Sequence, residues 1–148
     1  MGTMRVLVVD DEGDFRQTMV SRLLKRNIDA SGAENGEKAL KLINKFTYDV
    51  VMLDIRMPGI DGIAVLREIK KIKPLIEVVL LTGHGTVESG IEGMRLGAYD
   101  YMLKPAKFDD IIEKIQHAYE KKCVRSEKIR QAFIRDSNAN PACAPKIL

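Results

Sequence analysis

The sequence predicts an α/β protein in which a five-stranded parallel sheet is doubly wound by helices on both faces. Three observations carry that expectation. The apolar runs are short, continuous and rich in Val, as in parallel strands covered on both sides. Segments with helical spacing lie between them. Strand then helix recurs five times along the chain.

Val6-Leu7-Val8-Val9 is the first strand, and Phe15, Met19, Leu23 and Leu24 mark one face of the helix after it, with Asp14 as its start residue. A weaker run around Ile28 to Ala33 supplies a second strand. Asn35 then opens a helix marked by Ala39, Leu40, Ile43 and Phe46. Val50-Val51-Met52-Leu53 forms the next strand, and Asp61 opens a helix marked by Ile63, Leu66, Ile69 and Ile72. Val78-Val79-Leu80-Leu81 follows. The stretch Gly85 to Gly97 is the poorest helix candidate, because Gly90 and Gly93 each cost about 1 kcal/mol relative to alanine. Tyr101-Met102-Leu103 is the last strand. The final helix begins near Phe108, uses Ile111, Ile112, Ile115 and Tyr119, and can continue through Ile129 and Phe133. Residues 4–120 are expected to form the domain. Residues 121–148 form an extension, helical to about 135 and then a disordered tail rich in Asn, Ala and Pro.

Composition limits what such a fold can do. The 148 residues, 45% hydrophobic and 30% charged, suit one globular domain and leave no room for a second catalytic one. No run approaches the roughly 20 apolar residues that span a bilayer, and no signal peptide opens the chain, so a cytoplasmic protein without membrane contact is expected. Cys123 and Cys143 lack metal-ligand spacing and read as ordinary thiols. From Glu120 to Asp136 six bases (Lys121, Lys122, Arg125, Lys128, Arg130, Arg135) face three acids. Such a run could touch nucleic acid, but it is usually a solvated helix face.

Each apolar run ends abruptly on a polar residue: Asp10, Asp11 and Glu12 after the first, Asp54 after the third, Thr82 after the fourth, Lys104 after the fifth. In a parallel sheet all these ends share one edge, where ligands of such folds bind. Converging carboxylates repel unless protonated or neutralised, and a hard cation with oxygen ligands, Mg²⁺ above all, suits them. Metal, ammonium and hydroxyl around one carboxylate are the parts that phosphoryl transfer needs. Taken singly, Asp10 and Asp11 would suit helix N-caps equally well, and Thr82 or Lys104 would be unremarkable.

The motifs VLVVDDE (6–12), LDIRMPGIDG (53–62), LLTGHG (80–85) and GAYDYMLKP (97–105) resemble those of response regulator receiver domains of two-component systems, nearest in motif to the nitrogen-regulation type. The resemblance implies strand order 2-1-3-4-5. It also implies that Asp54 accepts a phosphoryl group from the phosphohistidine of a sensor histidine kinase. Asp10, Asp11, Asp54 and the backbone carbonyl of Arg56 would hold Mg²⁺, for which Mn²⁺ could substitute. Thr82 and Lys104 would bind phosphoryl oxygens, and Tyr101 would swing inward with Thr82. The Lys104-Pro105 bond would be cis. Arg56 and His84, each two residues beyond a site residue, would tune dephosphorylation. Kinase pairing would rest on first-helix surface residues such as Arg16, Gln17 and Met19. The face of the fourth helix, fifth strand and fifth helix would switch, and it or the extended last helix could pair two copies. In that helix Ile112, Tyr119, Ser126 and Phe133, with Ile115, Lys122 and Ile129, repeat every seven residues.

Two other classes compete. A phosphatase of the haloacid dehalogenase type wants a second aspartate two residues after Asp54, where Arg56 stands. A nucleotide-binding module wants GxGxxG spacing or a P-loop, and TGHGTVESG offers neither. The DNA-binding and ATPase domains of nitrogen-regulation factors do not fit after position 120. The chain is expected to be a stand-alone receiver or a fragment of a longer regulator, with nucleic acid reached only through an output domain.

Overall fold

Ten elements alternate along the chain in the computed structural model, which describes residues 3–83 and 87–136. They are β1 (Arg5–Val9), α1 (Gly13–Lys25), β2 (Asp29–Ala33), α2 (Gly36–Lys45), β3 (Val50–Leu53), α3 (Gly62–Ile72), β4 (Glu77–Thr82), α4 (Val87–Arg95), β5 (Asp100–Leu103) and α5 (Phe108–Asp136). All strand pairs are parallel, in the order β2-β1-β3-β4-β5.

The continuous apolar runs are explained by alternation across the sheet. Leu7, Val9, Val51, Leu53, Val78 and Leu80 point to one face, where they meet Ala39, Ile43, Val65, Leu66 and Ile69 of α2 and α3. Val6, Val8, Val50, Met52, Val79 and Leu81 point to the other, against Met19 and Leu23 of α1 and Ile111, Ile112 and Ile115 of α5. Both sets must be apolar because both are covered. The outer strands need less: β2 is mostly half-exposed or exposed, which is why its run is weak. Likewise β5 is only partly covered and Leu103 is 56% exposed, so its apolar run does not mark a strand buried on both faces.

Helix starts follow the expected chemistry at two of three sites. Asn35 accepts from the Lys38 amide and Asp61 from the Ala64 amide, each satisfying a helix-end N–H. The third expectation fails: Glu12 holds the N-cap position of α1 without a side-chain bond, and Asp14 lies inside the first turn. There its charge still complements the positive helix end. Leu24, Phe46 and Ile72 were expected on core faces but are 50%, 43% and 38% exposed, each lying at the C-terminal end of its helix. Gly90 and Gly93, expected to weaken the fourth helix, are buried contact points of α4. A Cβ on Gly93 would come within 2.3 Å of Leu80 Cδ1, and one on Gly90 within 3.4 Å of the Tyr101 ring.

The basic run after Glu120 is not a solvated face throughout. Lys122 is 5% exposed and its Nζ donates to Asp49 Oδ1 at 2.8 Å. Lys121 Nζ and Arg125 Nη1 each lie 3.5 Å from the carboxylate of Glu77, which is wholly buried at the start of β4. Buried acids at the sheet's amino edge draw the bases inward. The seven-residue seam is therefore occupied within the chain at Ile112, Ile115 and Lys122.

Candidate functional site

The sheet ladder itself carries the polar residues to the edge. The amide of Asp10 donates to the carbonyl of Ala33 at 3.1 Å, that of Asp54 to Val9 at 3.0 Å and that of Lys104 to Thr82 at 3.0 Å. Each bond continues the parallel pairing one step past the strand, so the side chains inherit the sheet's rigidity. Behind Asp54 the chain turns through Gly59, whose φ of +83° is a left-handed conformation suited to glycine. Gly62 then lets α3 close on the strand end, since a Cβ there would lie 2.3 Å from the Asp54 carbonyl oxygen.

Carboxylate oxygens of Asp10, Asp11 and Asp54 lie within 4.8 Å of one another, with Asp10 and Asp54 buried and Asp11 exposed. Lys104 Nζ donates to Asp10 Oδ2 at 2.6 Å and stands 3.9 Å from Asp54 Oδ2. The hydroxyl of Thr82, which is fully buried, hydrogen-bonds the Asp54 side chain. Asp54 Oδ1 also accepts from the Arg56 amide at 3.1 Å. Burial and the neighbouring Asp10 charge push the Asp54 carboxyl above its ordinary value, against the opposing pull of Thr82, the Arg56 amide and Lys104. Three carboxylates with a single ammonium among the described residues remain acid-rich, and their hard oxygens fit a divalent cation of the same preference.

The site residues read from the sequence are thus brought together in Asp10, Asp11, Asp54, Thr82 and Lys104. Neither Asp10 nor Asp11 caps α1; Asp10 Oδ1 instead accepts from the Glu12 amide at 2.9 Å. Tyr101, paired with Leu80 two residues before Thr82, packs toward Gly90 of α4 and is half-buried. The Lys104-Pro105 bond is cis. The Arg56 side chain is exposed at the rim, beside a cleft of about 590 Å³ lined by Ile55, Met57, Pro58, Asp61 and Ile63. His84 lies outside the described residues.

Three further neighbours stand at the site, of which Glu12 was expected at the strand edge while Phe15 and Arg16 were not expected there. Glu12 Oε1 stands 3.8 Å from Lys104 Nζ, and the same ammonium sits 4.1 Å above the centre of the Phe15 ring. Arg16 Nη1 donates to the Asp10 carbonyl at 2.7 Å, fixing the strand end from α1. Position offered a signal, because all three fall in the turn of chain directly after Asp10 and Asp11. The same contact alters the reading of α1 as a kinase-pairing surface: Arg16 is engaged with the site and Met19 is buried in the core, leaving Gln17 exposed.

A doubly wound parallel sheet with acids, a threonine and a lysine gathered at its carboxyl edge is the arrangement expected of a receiver-type α/β protein. The chain belongs to the response regulator receiver domain family, which it matches over residues 6–116. Within two-component systems its likeness is to regulators of the NtrX type. An NtrX-like response regulator of Rickettsia typhi is 37% identical over 131 residues, covering 87% of this chain and 28% of that protein. The crystal structure of NtrX from Brucella abortus has a TM-score of 0.79 at 37% identity, covering 85% of this chain and 29% of that one. A response regulator receiver domain from Clostridium thermocellum has a TM-score of 0.78 at 33% identity, over 82% of this chain and 98% of that one. The chain spans less than a third of the length of its NtrX-type relatives. Among the described residues no helix is long and apolar enough to cross a membrane.

Proposed function

We propose that the chain is a phospho-accepting receiver in which Asp54 takes a phosphoryl group from the phosphohistidine of a sensor histidine kinase. A carboxylate oxygen of Asp54 bonds to phosphorus, the phosphorus–nitrogen bond breaks, and its electron pair stays on the imidazole, which is then protonated. The observation that carries this reading is the placement of Asp54, buried at a strand end with Lys104 at 3.9 Å and the Thr82 hydroxyl already on its carboxylate. Both partners are donors, and each can follow the charge outward onto phosphoryl oxygens as it develops.

Asp10, Asp11, Asp54 and the backbone carbonyl of Arg56 would hold Mg²⁺, or Mn²⁺ in its place, whose chemistry when bound is to neutralise negative charge around the transferred group. Lys104 has to exchange Asp10 for the phosphoryl group, and its ammonium lies over the face of the Phe15 ring beside that path. Thr82 moving toward the phosphoryl group vacates space that Tyr101 can enter from its place beside Gly90. Such a shift selects between pre-existing states rather than creating one.

The face of α4, β5 and α5 is the output surface in this reading. Val87, Ile91, Met94 and Leu103 are exposed on α4 and β5, where an output partner, an output domain or a second copy could cover them. Arg56, exposed in the loop two residues after the acceptor, would slow hydrolysis by shielding it from water; Arg56→Ala should shorten the phosphoprotein lifetime. The domain of residues 4–120 acts as a signalling module rather than a turnover enzyme, while assisting its own phosphorylation and dephosphorylation. The test is phosphotransfer from a phosphorylated histidine kinase, with light scattering before and after. Uptake that needs Mg²⁺ and disappears in Asp54→Asn supports the proposal, and uptake unchanged in Asp54→Asn refutes it.

A further inference from the structure

At 29 residues α5 is about 44 Å long, half as long again as a small domain is wide. Most helical stability in proteins comes from tertiary packing, so the contacts made by the part beyond Tyr119 decide how firmly it is held. The supports lie at the amino edge of the sheet, the opposite end of the strands from Asp54. Asp49 immediately precedes β3 and Glu77 begins β4, and the Glu77 amide donates to the Asp49 carbonyl at 3.1 Å. Asp49 accepts from the Arg5 amide on one oxygen and from Lys122 Nζ on the other, both at 2.8 Å. Glu77 is met by Lys70 Nζ of α3 at 3.1 Å and, from α5, by Lys121 Nζ and Arg125 Nη1 at 3.5 Å each. One Glu77 oxygen, Oε2, is buried and has no hydrogen bond among the described residues, and the charge beside it is Lys121 of α5, while Arg125 lies against Oε1. The spacing is helical: Lys121 and Arg125 share a face one turn apart, and Lys122 projects from the neighbouring face to the neighbouring strand. Arg125 Nη2 also donates to the Pro74 carbonyl at 3.4 Å, tying α5 to the loop before β4.

We propose that Asp49 and Glu77 form an ionic clasp that makes the C-terminal half of α5 a fixed strut, so that the direction in which the chain leaves the domain is set by the amino edge of the sheet. Lys121, Lys122 and Arg125 are the positioning residues. The proposal does not depend on phosphorylation, because none of these groups touches the acceptor site.

The test is hydrogen exchange of backbone amides on the full chain, comparing residues 121–136 with residues 111–118. In the parent the two segments should be protected to within about tenfold. In Lys121→Gln/Arg125→Gln, whose lost side chains are 52% and 38% exposed, residues 121–136 should exchange at least about tenfold faster while β1 and β3 keep their protection. Asp49→Asn should produce the same local loss from the strand side. Unchanged exchange of 121–136 in the double variant, or a parent in which that segment already exchanges like an unsupported peptide, would overturn the clasp.

Discussion

The two edges of the sheet bury acids in opposite ways. At the amino edge, Asp49 and Glu77 are surrounded by Lys70, Lys121, Lys122 and Arg125, drawn from two helices. At the carboxyl edge, Asp10, Asp11 and Asp54 share Lys104 alone among the described residues. Charge is largely matched within the chain at one end, while the surplus at the other is what the proposed function would offer to a cation or phosphoryl group. Burial of a carboxylate is therefore not the mark of a site; burial with incomplete compensation is.

That contrast predicts opposite signs for similar substitutions. Asp49→Ala leaves Lys122 buried without its partner and should cost about 3–5 kcal/mol in urea denaturation. A loss under about 1 kcal/mol would mean that the clasp is not what offsets the burial of these charges. Next comes Gly62→Ala, whose Cβ would press on the backbone of Asp54 and Ile55; overpacking there should cost about 2–3 kcal/mol and slow phosphoryl uptake by displacing the acceptor. If stability and uptake both survive, the close approach of α3 does not position Asp54.

At the carboxyl edge the sign reverses. Asp54→Asn removes a charge disfavoured by burial and by Asp10, so without divalent metal it should stabilise the fold by about 1 kcal/mol. A destabilised Asn variant would contradict an uncompensated acceptor. The smallest effect concerns Asp100 at the start of β5. Burial raises its carboxyl, but the hydrogen bond from Lys114 and the Tyr101 amide outweigh that and hold it below its ordinary 3.8. A carboxyl depressed by folding contributes stability that is present above pH 3.8 and is lost as pH falls through the folded value. The Asp100 carboxyl resonance should therefore titrate below 3.8, moving upward in Lys114→Met; no movement would assign the depression to the backbone alone.

How legible each part was in the sequence follows from how local its cause is. The strands at the centre of the sheet were plain, because cover on both faces forces every residue to be apolar, and their polar stops located Asp10, Asp54, Thr82 and Lys104 together. The α2 and α3 caps were equally plain, being bonds within four residues. The edge strands were harder, since half-exposed residues carry no strict pattern. Two features were hidden for a common reason. The burial of Lys122 and the packing role of the α4 glycines could not be read locally, because their partners Asp49, Leu80 and Tyr101 are distant in sequence or lie across a helix–sheet packing that no local window contains. In the site, Phe15 and Arg16 were overlooked because an aromatic and a base on a helix serve many ends, and only the fold sets one over Lys104 and the other on the Asp10 carbonyl.

The central claim is that Asp54 is the acceptor. Its most direct test is to treat the full chain with phosphoramidate and Mg²⁺, reduce the acyl phosphate with borohydride, and map the resulting homoserine by peptide mass spectrometry. The uncompensated carboxyl edge predicts homoserine at position 54 and at no other acid, with none formed when Mg²⁺ is withheld. Homoserine at Asp10, Asp11 or an amino-edge acid, or none anywhere, would contradict it.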